Sequence, residues 1–170
     1  MKQIKMTLSE EATQKFLELG KELFSDCWKL LKSASTAEFD DPYWEWAIDQ
    51  QRQIDHLHGS DLTTGMVIAI LDQIEWESKR SYSHPEDYEK GGCVNGAFND
   101  FWKVYKKYFG TAGQLSWSYL VCDLSEYRRK YRSDLATWFA NALEDELAEM
   151  CRYALEEKKK EEESSVERSA

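Results

Sequence analysis

The stretch SDLATWFANALEDELAEMCRYALEEKKK, residues 133–160, predicts the longest helix of the chain and the element on which the others pack. At about 100° per residue its large apolar side chains form one continuous arc, and no Gly or Pro interrupts it. The arc consists of Leu135, Phe139, Leu143, Leu147, Met150 and Ala154, with Ala136, Ala140, Cys151 and Tyr153 at its edges. At about 1.5 Å per residue this helix would extend roughly 40 Å, the length of a small domain.

Capping residues and apolar periodicity predict five further helices. The first begins after Thr7 and Glu10, which have the spacing of a capping box, and extends to about Ala34. Its apolar face consists of Ala12, Phe16, Leu19, Leu23, Cys27, Leu30 or Leu31, and Ala34. The others are Pro42–His58 after an Asp41 cap, Asp61 to about Glu77, about Asn95 to Phe109, and Asp123 to about Arg132. The second helix ends at Gly59 and the fourth at Gly110. Between the third and fourth, Ser83-His84-Pro85 and Gly91-Gly92 bracket a loop or a single turn.

Periodicity also predicts the buried faces of two of these helices. The third helix has a face of Leu62, Met66, Ile70 and Ile74, and the core side of the fourth consists of Phe98, Phe101, Tyr105 and Tyr108. Asp123 and Glu126 are spaced as a capping pair for the fifth helix, and Ser133-Asp134 would cap the long one.

Three local patterns leave alternatives open. Gly20 marks either a close helix crossing or a break in the first helix. Residues 67–70 fit a buried strand as well as a helix, although the helical pattern continues beyond them. Residues 3–8 and 115–121 alternate as a minor strand pair would.

The fold prediction is therefore a predominantly all-α, single-domain bundle of five or six helices around a long C-terminal helix. Residues 1–155 form the domain. Residues 156–170 are charged, have little to bury, and are expected to fray.

Length and composition predict a cytoplasmic protein that folds without a metal or disulfides. A chain of 170 residues buries about 70% of its unfolded surface. Its four cysteines have no C-x-x-C spacing and are expected to be reduced and buried. The first six residues lack the apolar core of a signal peptide, and the longest apolar run, Met66 to Leu71, is too short to cross a membrane.

The formal charge of −10 is unevenly distributed. Residues 101–132 carry seven basic and two acidic side chains, whereas both flanking regions are acidic. The overall charge argues against general nucleic-acid binding, which depends on neutralising phosphates, and favours a basic partner.

The most acidic segment lies between Glu38 and Asp61 and contains seven acids and one base. On the predicted second helix, Asp41, Glu45 and Asp49 form one stripe with carboxylates on the order of 6 Å apart, a spacing that resembles phosphates along a nucleic-acid strand. Trp44 and Trp46 flank it and could anchor a partner. The alternative is an ordinary solvated face above a Trp-rich core.

A second candidate surface surrounds Trp138 on the long helix. It lies away from the apolar arc, among acids that include Asp145 and Glu149. An exposed Trp there would suit a basic partner or a second copy of the chain; otherwise another helix covers it.

The basic set comprises Lys103, Lys106, Lys107, Arg128, Arg129, Lys130 and Arg132. Interleaved tyrosines would suit stacking on single-stranded bases. Pairing with acids of the same molecule is the commoner arrangement, so we expect no direct nucleic-acid contact.

Motifs of catalysis or cofactor binding are absent from the sequence. His56 and His58 are two residues apart and point away from each other on a helix, so we predict no metal site, no cofactor and no catalytic residue. An enzyme would require carboxylates converging in a cleft, such as Glu75 and Glu77 with Asp72.

These patterns predict a non-enzymatic acidic binding protein. By analogy with small inhibitors of phages and mobile elements, it would have an anti-defence role and occlude or mimic the nucleic-acid ligand of a basic host protein. The residues involved would be Asp41, Trp44, Glu45, Trp46, Asp49, Trp138, Asp145 and Glu149. A structural protein that self-associates through the long helix is the alternative, and an enzyme with an unrecognised carboxylate site is a further one.

Overall fold

The computed structural model describes residues 5–80 and 84–169 and confirms the all-α prediction. Its helices are α1 (Glu10–Ser33), α2 (Asp41–His58), α3 (Asp61–Lys79), α4 (Cys93–Phe109), α5 (Trp117–Tyr131) and α6 (Asp134–Ser169). Short 3-10 turns form at Ala34–Thr36 and Pro85–Tyr88. Two strands, β1 (Lys5–Leu8) and β2 (Gly113–Ser116), complete the fold.

Helix α6 organises the core as predicted. Ser133 caps it, because its Oγ accepts a hydrogen bond of 3.2 Å from the amide of Ala136. The predicted arc is buried from Leu135 to Leu147 and packs against α3, α4 and α5. Tyr153, at the edge of the arc, is exposed. Other helices of the same chain therefore cover the apolar arc.

Helix α3 is the closest neighbour of α6 and runs antiparallel to it. At the start of α3, the amide of Leu62 donates to Glu146 Oε2 at 3.0 Å. Three residues later Gly65 lies against Ala142, so close that a Cβ at position 65 would be 2.4 Å from the Cβ of Ala142. Residues 67–70 belong to this helix, and the predicted core face from Leu62 to Ile74 is buried.

The start of α1 differs from the predicted capping box. Ser9 is the cap, with its Oγ accepting from the Ala12 amide at 3.1 Å, because Thr7 is paired in β1. Gly20 does not break the helix. It marks a close crossing, where an added Cβ would lie 2.6 Å from the ring of Tyr105 in α4. Leu19, which the periodicity placed on the core face, is exposed.

The strand pair exists but is shorter than predicted at its second strand. β1 and β2 are antiparallel, with Met6 opposite Leu115 and Leu8 opposite Gly113. The alternating pattern ends at Ser116 and α5 begins at Trp117, six residues before the predicted start at Asp123. Asp123 does not cap the helix, because its carboxylate instead accepts from Lys107 Nζ at 2.6 Å and from the Tyr108 hydroxyl at 2.7 Å. Residues 3 and 4 of the predicted first strand lie outside the described residues.

The aromatic face of α4 fills the space between α1 and α6. Phe101 stacks on Phe139 of α6 with ring centroids 5.0 Å apart, and Phe24 of α1 lies 5.5 Å from Phe101. The four predicted core aromatics of α4 are buried, namely Phe98, Phe101, Tyr105 and Tyr108. The lysines of α4 are on its exposed side.

The end of α6 is an exposed extension of the helix. The helix continues to Ser169, and every side chain from Leu155 to Ser169 is exposed. Fraying depends on how much free energy holds a segment in place, and this one buries almost no apolar surface. The expectation that it frays stays a prediction.

Candidate functional site

Local sequence at the start of α2 positions the predicted acidic stripe. Asp40, one residue before the predicted cap, accepts a hydrogen bond of 2.9 Å from the Tyr43 amide, and Pro42 lies in the first turn. At the other end Gly59 adopts the left-handed conformation, with φ 41°, and ends the helix as predicted. The two caps fix the start and end of the helix that presents the stripe.

The acidic stripe consists of Asp41, Glu45 and Asp49, and all three side chains are exposed. Within residues 5–80 and 84–169, none of them forms an ion pair with a basic side chain. Asp49 accepts a hydrogen bond of 2.7 Å from the amide of Gln53, which carries no charge. The stripe is therefore an uncompensated line of negative charge.

The two tryptophans that flank the stripe differ in exposure. Trp46 is 39% exposed, whereas Trp44 is half-buried against the core. Tyr43 packs near Trp46, with their ring centroids 5.9 Å apart. Its hydroxyl oxygen lies within hydrogen-bond distance of Ser33 Oγ, at 2.8 Å. Partial burial raises the pKa of Tyr43, which keeps its hydroxyl protonated. Trp46 is the available contact, and Trp44 mainly holds α2 in place.

The backbone is strained just before α2. Phe39 has a φ of 53°, a left-handed conformation that costs a residue other than glycine about 1–2 kcal/mol. Its ring packs edge-on against Tyr43, with centroids 5.5 Å apart. Packing of this ring offsets the strain and fixes the direction in which the chain enters α2.

The second predicted surface is more complex than the sequence suggested. Trp138 is 47% exposed, and Asp145 is exposed on the same helix. Glu149 is instead held by Arg152, whose guanidinium hydrogen bonds lower the pKa of this carboxyl. A groove of about 670 Å³ between α3 and α6 contains Trp138, Asp145 and Glu149. This surface lies on α6 and the stripe lies on α2, and α3 packs against both of these helices.

The basic set is largely engaged within the molecule. Four of its seven members form ion pairs: Lys103 and Lys130 with Asp100, Lys107 with Asp123, and Arg128 with Glu144. Lys106 lies 5.3 Å from the ring centroid of Trp102. Most of the basic set therefore pairs with acids of the same molecule, which is the commoner of the two arrangements considered from the sequence.

Sequence reasoning missed a cleft of about 470 Å³ where α3 meets the first turns of α4 and α6. Its polar and aromatic wall includes Asp72, Trp76, Glu77, Asp87, Arg132 and Trp138. We call it the Glu77 cleft. Asp72 and Glu77 were named as carboxylates that could converge, whereas Glu75 is exposed and pairs with Lys79 at 2.9 Å.

Glu77 is the unusual residue of this cleft, because it is only 4% exposed. Its Oε1 accepts hydrogen bonds from the Tyr88 hydroxyl at 2.5 Å and from Gln73 Nε2 at 2.9 Å. Its Oε2 is buried and has no hydrogen-bond partner in the part of the chain that the structure describes. The signal in the sequence was position: Glu77 follows Ile70 and Ile74 on the buried face of α3.

The expectation that all four cysteines are buried is wrong for Cys93 and Cys122, which are exposed. Cys93 lines the cleft but is not poised as a nucleophile. Partial burial and the neighbouring Asp87 carboxylate raise the pKa of its thiol. Because the thiolate is the reactive form, this environment disfavours cysteine chemistry.

The two histidines near the end of α2, His56 and His58, differ in their surroundings. His58 Nε2 lies 3.2 Å from Asp26 Oδ2, so α2 is joined to α1 there, and His56 is exposed. Among the residues described, no group of three or more His, Cys, Asp or Glu is arranged to hold a metal ion. None of the helices in the described ranges is long and apolar enough to cross a membrane.

No protein-family model, curated protein or solved structure matches this chain. Its function is therefore argued from its own residues.

Proposed function

We propose that this protein binds a basic protein and occupies the surface with which that partner binds nucleic acid. The observation that carries the proposal is charge segregation. The acids of the α2 stripe are exposed and form no ion pair among the described residues, while most cations of α4 and α5 are paired internally. The free charge that the protein offers to a partner is therefore negative.

The geometry of the stripe supports mimicry of a phosphate backbone. Residues four apart on a helix are separated by about 6 Å along its axis, so Asp41, Glu45 and Asp49 form a regular row. A repeating row of negative charge is what a nucleic-acid strand presents to a basic groove. Such a row would pair with the same cationic side chains of the partner that phosphates neutralise.

Trp46 offers a partner an aromatic contact that the charged stripe alone does not provide. Charged contacts steer association and make it depend on salt, whereas a buried aromatic anchor at an interface adds affinity that salt does not screen. Trp46 lies beside the stripe, and Ile48 is exposed on the same helix. We therefore place the centre of the interface at Trp46 and the acids around it.

The α6 surface serves as a secondary contact in this proposal. Trp138 and Asp145 are exposed, but the charge of Glu149 is already matched by Arg152. The alternative function, self-association through the long helix, would need the apolar arc of α6. That arc is buried within the chain.

A capture experiment with charge-matched variants tests the proposal. The wild-type protein, an Asp41→Asn/Glu45→Gln/Asp49→Asn variant and a Glu161→Gln/Glu162→Gln/Glu163→Gln control would be immobilised and exposed to cell lysate. Both variants lose three negative charges, but only the first loses the stripe. Retained proteins would be identified by mass after washes at low and high salt, and each would then be tested for displacement by nucleic acid.

We expect a basic protein to be retained by the wild type and the control, lost from the stripe variant, and released by added nucleic acid. Release should rise steeply with salt, since the contacts replace phosphate contacts. Equal retention by the two triple variants would contradict the proposal, and so would a partner that nucleic acid does not displace.

A further inference from the structure

Glu77 in the Glu77 cleft lacks the counterpart that a buried carboxylate requires. Removing a carboxylate from water is costly unless hydrogen bonds and a positive charge replace its hydration. Tyr88 and Gln73 satisfy Oε1, and Oε2 has no donor among the described residues. One oxygen of this nearly buried acid, which lines the cleft, thus lacks a donor within residues 5–80 and 84–169.

The rest of the cleft wall favours a cation as that donor. Asp72, Asp87 and Asp134 also line the cleft, and Arg132 is the base in its wall. The local balance is therefore negative. Glu77 forms no ion pair with a base of the described ranges.

Two tryptophans line the same cleft and are suited to a planar cation. Trp76 and Trp138 are each partly exposed, and the guanidinium carbon of Arg80 lies 4.2 Å from the Trp76 ring centroid. Indole faces attract guanidinium groups, which also present several N–H donors to a carboxylate. The volume of about 470 Å³ is within the range of about 300–1,000 Å³ usual for small-molecule sites.

We infer that the Glu77 cleft is a binding site for a guanidinium group, with Glu77 Oε2 as its buried acceptor and Trp76 and Trp138 as its aromatic walls. The guanidinium comes either from an arginine side chain of a protein or from a free small molecule. The α2 stripe does not line this cleft. The inference therefore does not rest on the stripe, although Trp138 is also part of the secondary contact in the proposed function, and purified protein is enough to test it.

The probes are acetyl-arginine amide, agmatine and the uncharged analogue acetyl-citrulline amide. Binding would be measured by calorimetry and located by NMR of the indole N–H groups of Trp76 and Trp138. We expect acetyl-arginine amide to bind and shift both indole signals, and acetyl-citrulline amide to do neither. Agmatine binding as well as acetyl-arginine amide would indicate a free small molecule, whereas preference for the amide would indicate a protein side chain.

Glu77→Gln is the decisive variant, because it keeps the shape and an acceptor for Tyr88 but removes the charge. Its affinity should fall about tenfold or more. Glu75→Gln is the matched control on the same helix, outside the cleft, and should bind as the wild type does. If circular dichroism shows that Glu77→Gln does not fold, Asp72→Asn takes its place, since Asp72 is exposed and its change should also weaken binding.

Three results would overturn the inference. One is the absence of binding by both guanidinium probes. Another is equal binding of the citrulline and arginine amides. The third is unchanged affinity in the folded Glu77→Gln variant or in its replacement. Because no partner protein is involved, failure here would leave the stripe proposal standing, and failure of the stripe would leave this one standing.

Discussion

At the scale of single residues, Gly65 controls how closely α3 approaches α6. Replacing it with Ala would bring two Cβ atoms to 2.4 Å, and the helices would have to separate. Overpacking of this kind costs about 1–3 kcal/mol, and the better helix propensity of Ala returns up to about 1 kcal/mol. We expect Gly65→Ala to lower the free energy of unfolding by about 1 kcal/mol or more, measured by urea denaturation.

Two controls separate crowding from other effects. Thr64→Ala, at an exposed neighbouring position, should change stability by less than about 0.5 kcal/mol. Adding Ala142→Gly to Gly65→Ala removes the opposing methyl group, so the double variant should be more stable than the sum of the two single changes predicts. If the changes in unfolding free energy of the two single variants simply added in the double variant, residues 65 and 142 would not be in steric conflict.

Asp100 is the residue whose charge should matter most for stability in acid. It accepts from Lys130 Nζ at 2.7 Å, from Lys103 Nζ at 3.0 Å and from the Tyr131 hydroxyl, which connects α4 to α5. Partial burial raises the pKa of Asp100, but these hydrogen bonds outweigh it and lower the pKa from 3.8 to about 2. Because the folded-state value is the lower one, the stabilisation is complete above 3.8 and is lost as the pH falls towards 2.

Asp100→Asn tests this assignment. Near neutral pH we expect it to reduce the free energy of unfolding by about 1 kcal/mol, and the difference from the wild type should narrow as the pH falls below 3.8. Urea denaturation across this range is the measurement. Glu126→Gln, at an exposed site on α5, is the control and should show no such convergence. A constant difference at all pH values would assign the effect to packing.

At the scale of elements, α6 consists of two parts with different energetics. Up to Cys151 its inner side is buried, and beyond Leu155 all its described side chains are exposed. Removing residues 156–170 should therefore change the free energy of unfolding by less than about 0.5 kcal/mol. Amide hydrogen exchange of the intact chain should be fast over the same segment.

A shorter chain that ends at Met150 is the matched comparison. It also removes Cys151, which is buried, and should lose more than about 1 kcal/mol. If the two truncations proved equally destabilising, the exposed end of α6 would have to contact something other than water.

At the scale of the whole molecule, the distribution of apolar surface predicts a monomer. The long helix uses its apolar arc inside the chain, and the stripe on α2 would repel its own copy. Sedimentation equilibrium should give a mass near 20.0 kDa at both low and high salt. A stable dimer that persists at high salt would instead favour the self-association alternative.

The elements most accurately predicted were those with strong local signals. The apolar arc of α6 and the core faces of α3 and α4 follow from periodicity, because a helix must bury its apolar side wherever it packs. The left-handed Gly59 and the cap at Ser133 follow from backbone chemistry within one turn. The exposure of the α2 acids could also be expected, since Ala47 and Ile54, the residues that α2 buries, lie on the opposite side of the helix.

Helix starts were predicted wrongly where a residue that could cap a helix makes a different contact in the folded chain. The spacing of Asp123 and Glu126 suits a cap, but Asp123 pairs with Lys107 and Tyr108 of α4, and the helix starts earlier. Thr7 suits a cap as well, yet its backbone is paired with β2, so Ser9 takes the role. Local sequence patterns do not indicate whether a local cap or a long-range contact forms.

From the order of residues alone it could be predicted that the chain is helical, that α6 is its central element and that acidic side chains form a stripe on α2. The packing of the helices against one another decided that the α2 stripe has no ion pair among the described residues and that most basic residues of α4 and α5 are paired internally. It also decided that Glu77 and two tryptophans line one cleft. The physical reason is that periodicity reports burial one helix at a time, whereas ion pairs and clefts depend on how helices distant in sequence are placed side by side.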